Sequence, residues 1–572
     1  MEYSAIFHDM DKRFCYAIDK DLFVIRVQVK KDDMKEVILH YEDKYIPMER
    51  KDTRMTLPMK KVATSQFHDY YEAQLQMHLI CLRYFFEFTD MQGEKVYYGN
   101  YEFDKECITN RDRMFDCPQN LREEEMFEVP QWAANKVVYQ IFPSRFATTQ
   151  PVDKELWYKA PITPMDDLHG NLRGIIEHLD YIKDLGIDVV YLTPIFKSNS
   201  CHKYDTIDYY QVDPSFGTTE DLKELVQKSH ERGMKVVLDA VYNHTGREFF
   251  AFQDILEKGE KSKYLDWYFI DELPPRGEWG EIPNFKCFGY YGGMPKLNLK
   301  NPEVEKYITD VACYWIKECD IDGWRLDVGD EISHFFWKNF RKAVKAVKKD
   351  MLIIGEIWHY AGDFLEGDEW DTVMNYPFYL NLIDLLADEK ITVSQFVQNL
   401  GYLKGRLHKN CYPLMWNLID SHDTARFLHL CNDNKKKQHL AAAFQLLLPG
   451  MPMIYYGDEY AMPGANDPDC RRGMYWDEEY QDKEMYEWYK RLIQVRKSHA
   501  CIVEGELAGS VTEDEEGTIV LIRKNGEETI AMIFNCSSSA KKFNEYTQKY
   551  NLLTENTFDG NVEGFDAAVI VL

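Results

Sequence analysis

The chain has 572 residues, 45% hydrophobic and 29% charged, with a formal net charge of −28. That length exceeds what one hydrophobic core spans, so several domains are expected. The acidic excess argues against a nucleic-acid partner, which requires a basic face, and without a run of about 18 apolar residues no membrane partner is expected.

Aromatic residues reach 14% of the chain. Such rings fill cores, and they also stack on the apolar faces of sugars. The 13 cysteines are scattered, with no CxxC pair. The start, Met1-Glu2-Tyr3-Ser4, has neither the basic nor the apolar region of a secretory leader. Free thiols in a reducing cytoplasm fit both features.

In chain order, residues 1–118 read as an N-terminal β-sandwich. Leu22 to Val29 is rich in β-branched residues with partial alternation, and Glu36 to Tyr45, Tyr70 to Thr89 and Lys95 to Phe103 continue the style. Residues 119–131 are acidic and polar and read as a linker. From Trp132 the rhythm changes. Apolar runs at Val137–Phe142, Asp188–Thr193, Lys235–Ala240, Gly323–Val328, Leu352–Ile357, Thr372–Asn375, Leu414–Ile419 and Met453–Tyr456 predict strands. Helical patterns lie between most of them, at Leu172–Leu185, Thr219–Arg232, Pro302–Cys319, Phe335–Lys349 and Lys436–Leu448. This alternation predicts an α/β fold, a (β/α)₈ TIM barrel over residues 132–499. An open doubly wound sheet is the alternative, weakened by the lack of a Gly-rich phosphate loop. Residues 245–298 are too long for a connecting loop and are rich in Gly, Pro and aromatics, including Trp267, Tyr268, Trp279, Tyr290 and Tyr291. They predict an inserted subdomain after strand three, over the barrel mouth. Residues 500–572 return to β patterns and predict a C-terminal β-sandwich, with a hairpin turn at Asn525-Gly526.

Catalytic groups of such barrels sit at the carboxyl ends of the strands. Strand three ends in Asp239 and His244, strand four in Arg325 and Asp327, strand five in Glu356 and Trp358, and strand seven in His422 and Asp423. Glycoside cleavage needs a carboxylic acid to protonate the leaving oxygen and a carboxylate to attack or to activate water. Arg325, two residues before Asp327 on a strand, faces the same side and can hold it ionised. Any one of these carboxylates could merely cap a helix; four strand ends at once argue for chemistry. A metal hydrolase is the rival, but neither HxH nor HExxH occurs.

Four segments resemble the α-amylase superfamily, glycoside hydrolase family 13. They are Asp239-Ala240-Val241-Tyr242-Asn243-His244, Gly323-Trp324-Arg325-Leu326-Asp327-Val328, Gly355-Glu356-Ile357-Trp358-His359 and Asn417-Leu418-Ile419-Asp420-Ser421-His422-Asp423-Thr424. Met294-Pro295-Lys296-Leu297-Asn298, Tyr139-Gln140-Ile141-Phe142-Pro143, His202-Lys203-Tyr204-Asp205-Thr206 and Asn466-Asp467-Pro468-Asp469-Cys470-Arg471-Arg472 narrow it to the cyclomaltodextrinase, neopullulanase and maltogenic amylase group. The resemblance implies an N-terminal domain of starch-binding type. It also implies retaining hydrolysis of α-1,4-glucosidic bonds in cyclodextrins, maltooligosaccharides and pullulan, through a covalent glycosyl-enzyme. Asp327 would be the nucleophile, Glu356 the acid/base and Asp423 the transition-state stabiliser. His244, Arg325 and His422 would line the subsite of the attacked glucose, with Tyr204 stacked under that ring and Asp239 in support. Asp467 and Arg471 would hold the next sugar, and Trp358 would shape the leaving-group side or simply pack. A transglycosylase or isomerase of the same superfamily, and a non-catalytic carbohydrate-binding protein, are the alternatives.

Many members of the family bind calcium just after the first strand. Here that stretch, Arg145 to Asp153, is nearly stripped of oxygen ligands, where Ca²⁺ wants six to eight. No cofactor or metal is therefore expected. Gly329-Asp330-Glu331 stands where relatives usually carry Ala-Asn-Glu, and Pro164 to Asn171 is atypical. The group's habit of pairing subunits implies a homodimer through the N-terminal domain.

Overall fold

The computed structural model describes residues 1–47, 54–76, 81–100, 102–118, 126–277 and 280–572. They form two compact units. One comprises Met1–Val129 with Ala361–Asp368 and Ile391–Tyr412; the other comprises Pro130–Tyr360, Glu369–Lys390 and Pro413–Leu572.

In the first unit, an antiparallel sheet runs in the order Cys15–Ala17, Leu22–Lys30, His68–Gln76, Lys60–Thr64. A second is built from Met55–Pro58, Met34–Asp43, Cys81–Asp90, Lys95–Tyr98 and Phe103–Asp104, with Phe115–Pro118 also paired to Cys81–Asp90. Alternate residues meet in one core: Ile25, Val27, Val29, Ala73 and Leu75 with Val37, Leu39, Tyr84, Phe86 and Phe88. The alternation in Leu22–Lys30 is only partial because its other face is covered too. The helix Val393–Arg406 lies there. Arg26 Nη1 donates to the carbonyls of Gly405 at 2.9 Å and Leu407 at 2.8 Å. A side chain at position 405 would collide with the Tyr70 ring, its Cβ 2.3 Å from Cδ2. Two segments expected within the 132–499 domain thus pack into the N-terminal unit. The expected linker 119–131 also differs, in its described part. Met126 and Phe127 are buried, Met126 within the sandwich core; residues 119–125 lie outside the described residues.

In the second unit, eight strands form one parallel sheet. In chain order they are Val138–Ile141, Val189–Leu192, Lys235–Ala240, Gly323–Leu326, Leu352–Gly355, Thr372–Val373, Trp416–Asn417 and Met451–Tyr455. Strand one pairs with strands two and eight, and a parallel bridge from Met374 to Trp416 joins six to seven and closes the ring. Every expected strand is present. Strand eight begins two residues earlier than expected, at Met451, with Pro452 at its second position, close to the strand start where a missing N–H is best tolerated. The helices start at caps. Thr218 and Asp221 form a capping box, and Asn301 with Pro302, Ser333 and Asn434 start three more. The single helix expected over Leu172–Leu185 is broken at His178, which leaves helical geometry.

The insertion after strand three holds the helix Phe250–Lys258, with bridges from His244 to Lys296, Tyr268 to Leu297 and Ile270 to Phe285. Trp267, Tyr268 and Phe285 are buried in it; Trp279 lies outside the described residues. At the C-terminus a six-stranded antiparallel sheet faces a two-stranded one, with Val520, Ile533, Phe543, Val562 and Ile570 in the core. Asn525 pairs with Glu528, so Gly526 and Glu527 form the turn, Gly526 with φ +59°.

Candidate active site

The barrel delivers polar groups at the carboxyl ends of its strands. Strand four ends in Arg325 and Leu326, and Asp327 follows, its N–H donating to Ala240 O at 3.2 Å. Strand five ends at Gly355, and the Glu356 N–H donates to Leu326 O at 3.0 Å. Gly355 is required there, because a Cβ would lie 2.1 Å from the Trp370 ring. Asp327 and Glu356 are thereby fixed on adjacent strands.

Arg325 is the hub. It is wholly buried, and its Nη1 donates to Asp239 Oδ1 at 3.0 Å and to Asp327 Oδ1 at 2.9 Å. Its Nη2 lies 3.0 Å from Glu356 Oε2 and 3.8 Å from Asp423 Oδ2, without hydrogen-bond alignment. Asp327 Oδ2 has no hydrogen-bond partner among the described residues. Glu356 accepts from the Val328 N–H at 2.8 Å and from Trp358 Nε1 at 3.3 Å. Val328 adopts φ +48°, ψ +46°, a left-handed conformation costly for a β-branched residue. The strain turns its N–H onto Glu356. Trp358 both packs and serves the site: it stacks on Tyr376 at 4.0 Å and touches the acid.

One wall is a chain of rings. Gln140 Nε2 donates to His422 Nδ1 at 2.8 Å. The His422 proton therefore sits on Nε2, which donates to the Tyr204 hydroxyl and lies 3.1 Å from Asp423 Oδ1. Tyr204 in turn donates to Asp239 Oδ2 at 3.0 Å, and its ring is parallel to His422 within 1°. His244 Nε2 donates to Tyr204 O at 3.1 Å and leaves Nδ1 without a partner among the described residues. In the loop after strand eight, Arg471 donates through Nε to His422 O at 2.8 Å, pairs with Asp467 at 2.7 Å and lies 3.5 Å from Asp423. Every residue expected at the site thus joins one continuous network.

Burial drives the titration. It pushes Glu356 up; Arg325 opposes and the Asp423 charge adds to the rise. Burial pushes Asp327 up as well, against Arg325, with Glu356, Asp239 and Asp423 reinforcing. A proton on Glu356 removes one of those repulsions, and the direct Arg325 bond then favours ionised Asp327. The cluster titrates as a unit. Burial lowers His244 to about 3 and holds His422 well below its ordinary value, so both are neutral.

The sequence motifs gave no role to Val328, Tyr376, Gln140 or Tyr191, whose hydroxyl donates to Asp239 at 2.6 Å. A polar side chain pointing inward from an apolar strand was the available signal for Gln140 and Tyr191. The stretch Arg145 to Asp153 does not fit a calcium ion. Asp153 caps the helix Lys154–Trp157. Asn171 Oδ1 caps the next helix, and its amide donates toward Thr148 and Thr149.

A closed parallel barrel whose strand ends gather four carboxylates, a buried arginine and neutral histidines defines an enzyme of the glycoside-hydrolase class. The family described as alpha amylase, catalytic domain, matches residues 140–505, and that described as alpha amylase, N-terminal ig-like domain, matches residues 1–119. A cyclomaltodextrinase of Geobacillus thermopakistaniensis is 43% identical, over 94% of this chain and 92% of that protein. An intracellular maltogenic amylase of Bacillus subtilis is 38% identical, over 94% and 91%. A solved cyclomaltodextrinase structure superposes with a TM-score of 0.94 at 37% identity, covering 100% of both chains. The chain belongs to the α-amylase family, in its cyclomaltodextrinase, neopullulanase and maltogenic amylase group.

Proposed function

We propose that the protein hydrolyses α-1,4-glucosidic bonds of cyclodextrins and short maltooligosaccharides, with pullulan as a further substrate, and retains the anomeric configuration. One observation carries this reading: Arg325 binds one oxygen of Asp327 and leaves Oδ2 free, while on the next strand burial and the Asp423 charge push the Glu356 carboxyl up toward its protonated form. Asp327 Oδ2 attacks the anomeric carbon as Glu356 gives its proton to the departing oxygen. The glycosidic bond breaks and a glycosyl ester to Asp327 forms. Water then gives a proton to Glu356 and attacks the same carbon, which releases Asp327; two inversions make retention. Asp423 holds ring hydroxyls, Tyr204 lies under the ring and is steadied by the His422 Nε2–H, and His244 offers Nδ1 to a hydroxyl. Asp467, Arg471 and Trp358 line the neighbouring subsites.

A homodimer that covers the cleft with the partner's N-terminal domain agrees with small substrates. A cytoplasmic site of action agrees with thirteen free cysteines and with a relative named intracellular. The test is product analysis on maltotriose, β-cyclodextrin, pullulan and soluble starch. Glucose and maltose of α configuration, released faster from β-cyclodextrin than from starch, are expected. Trehalose, or β-configured products, would refute the reading.

A further inference from the structure

The loop after strand seven, which carries His422 and Asp423, is anchored by a pair of carboxyls that the hydrolytic mechanism leaves unused. Asp420 and Asp458 are each 1% exposed and lie within hydrogen-bonding reach of one another. Asp420 Oδ2 accepts from the Phe427 N–H at 2.7 Å, and Asp458 Oδ1 accepts from Arg426 Nη1 at 2.8 Å. That leaves Asp420 Oδ1 and Asp458 Oδ2, both buried and without a partner among the described residues. Ionised carboxyls only accept, so two of them cannot satisfy each other; a proton on one makes it a donor and satisfies both oxygens. Charge gives the same answer. Arg426, itself buried, offsets one negative charge and not two. Glu459 is a further buried carboxylate beside them, held by the Tyr139 and Tyr181 hydroxyls at 2.5 and 2.6 Å and by the Gly457 N–H. The rings of Tyr455 and Tyr456 lie against Arg426, and Tyr489 approaches the pair from the helix Lys483–Ser498. Burial pushes Asp458 well above the usual carboxylate range, with the Asp420 charge adding and Arg426 opposing.

We propose that Asp420 and Asp458 share one proton, and that this proton positions Asp423 and Arg471 for hydrolysis. With it, the pair and Arg426 sum to zero charge; without it, a net negative charge is buried. The group joins the two loops that bear the site. Arg426 Nε donates to Cys470 O at 3.1 Å, and its backbone N–H donates to Gly464 O at 3.0 Å. Arg471 Nε and Cys470 Sγ both donate to His422 O, at 2.8 and 3.3 Å. The bond from Phe427 to Asp420 closes the loop in which Asp423 sits. Loss of the proton at alkaline pH drives the two carboxylates apart. The loop after strand seven then shifts against the loop after strand eight, and Asp423 leaves its place 3.5 Å from Arg471. Asp420 and Asp458 are thus positioning residues, which act through Asp423 and Arg471.

The test replaces Asp458 by Asn, whose amide donates to Asp420 as the protonated acid does and whose carbonyl accepts from Arg426. Two pH profiles are read on the full-length protein. The first is urea unfolding from about pH 5 to about pH 9. A carboxyl raised in the folded state keeps a proton that the unfolded chain releases above about 4, so stability is lost as pH rises toward the folded value. Wild-type stability should therefore fall more steeply with pH than that of Asp458→Asn. The second is hydrolysis of α-maltosyl fluoride, whose fluoride departs without a proton from Glu356, so that the acid's own titration does not shape the curve. Relative to its own rate near pH 7, Asp458→Asn should hold its activity about one pH unit further into the alkaline range than wild type. Asp458→Ala, which can bind neither Arg426 nor Asp420, should be about 10-fold slower than Asp458→Asn. Asp420→Asn, whose amide donates to an ionised Asp458, should match Asp458→Asn in both profiles. The unfolding arm is independent of the hydrolase reading; the rate arm rests on it. Superposed alkaline limbs, or equal pH slopes of stability, in wild type and Asp458→Asn would overturn the proposal. So would failure of both Asn variants to fold, because each keeps the hydrogen bonds of the pair.

Discussion

Arg325 faces more carboxylates than one guanidinium neutralises: Asp239, Asp327, Glu356 and Asp423 all lie within 4 Å of its Nη atoms. Repulsion among them is relieved by a proton, and Glu356 is the group whose work needs one. The two central carboxyls therefore have separable duties, and leaving-group chemistry can tell them apart. Asp327→Asn and Glu356→Gln should each lower kcat on maltotriose by about 10⁴-fold. On α-maltosyl fluoride, whose leaving group needs no protonation, Glu356→Gln should regain most of the first step, while Asp327→Asn stays inactive. Equal rescue of both variants would mean that the assigned roles are wrong. Val328 belongs to the same picture. Its strained backbone supplies Glu356 with a hydrogen bond, and nothing in its residue type announces that.

At the scale of elements, the two ends of the barrel do different work. At the amino end of strand four, Asp322 accepts from His230 at 2.6 Å, Lys235 at 2.9 Å and Lys348 at 3.0 Å, and from the Val236 N–H at 3.0 Å. Burial pushes its carboxyl up, but these bonds and charges win and hold it well below the ordinary range. A carboxyl depressed in the folded state stabilises above its unfolded value of about 4 and loses that contribution as pH falls. Asp322→Asn should thus cost about 2–3 kcal/mol at pH 7 and about 1 kcal/mol less near pH 3, where the unfolded carboxyl is protonated and the folded one is not, read from urea unfolding at both values. An equal loss at both would contradict the charge argument. Strands and helices were largely legible in the sequence because period and caps are local signals: Lys235–Ala240 and Pro302–Cys319 fall where their patterns predict. The helix Val393–Arg406 was not, since what it covers is the N-terminal sheet of its own unit, and no local pattern encodes a partner far along the chain. The site splits the same way. Strand-end carboxylates and histidines could be read from position, and their roles from resemblance. Contacts made by a backbone N–H, or by the inward hydroxyl of Tyr191, depend on closure of the ring.

The whole molecule carries a formal charge of −28, and that bears on the proposed dimer. Two such chains repel over a range set by the screening length, about 30 Å at 0.01 M salt and about 8 Å at 0.15 M. Surface ion pairs across an interface respond in the opposite sense, since salt weakens them. With this imbalance the net repulsion should dominate the long-range term, and apolar and hydrogen-bonded contacts must hold the subunits together. Dimerisation should therefore tighten as salt rises from 0.01 M to 0.15 M. Because the partner's N-terminal domain is proposed to narrow the cleft, the rate ratio of β-cyclodextrin to starch should rise over the same interval. Light scattering coupled to size exclusion, with both substrates assayed at each salt level, measures the two together. Loosening of the dimer by salt would point to an interface held by ion pairs. A strictly monomeric protein with an unchanged ratio would remove the dimer from the account and leave substrate choice to the inserted subdomain alone.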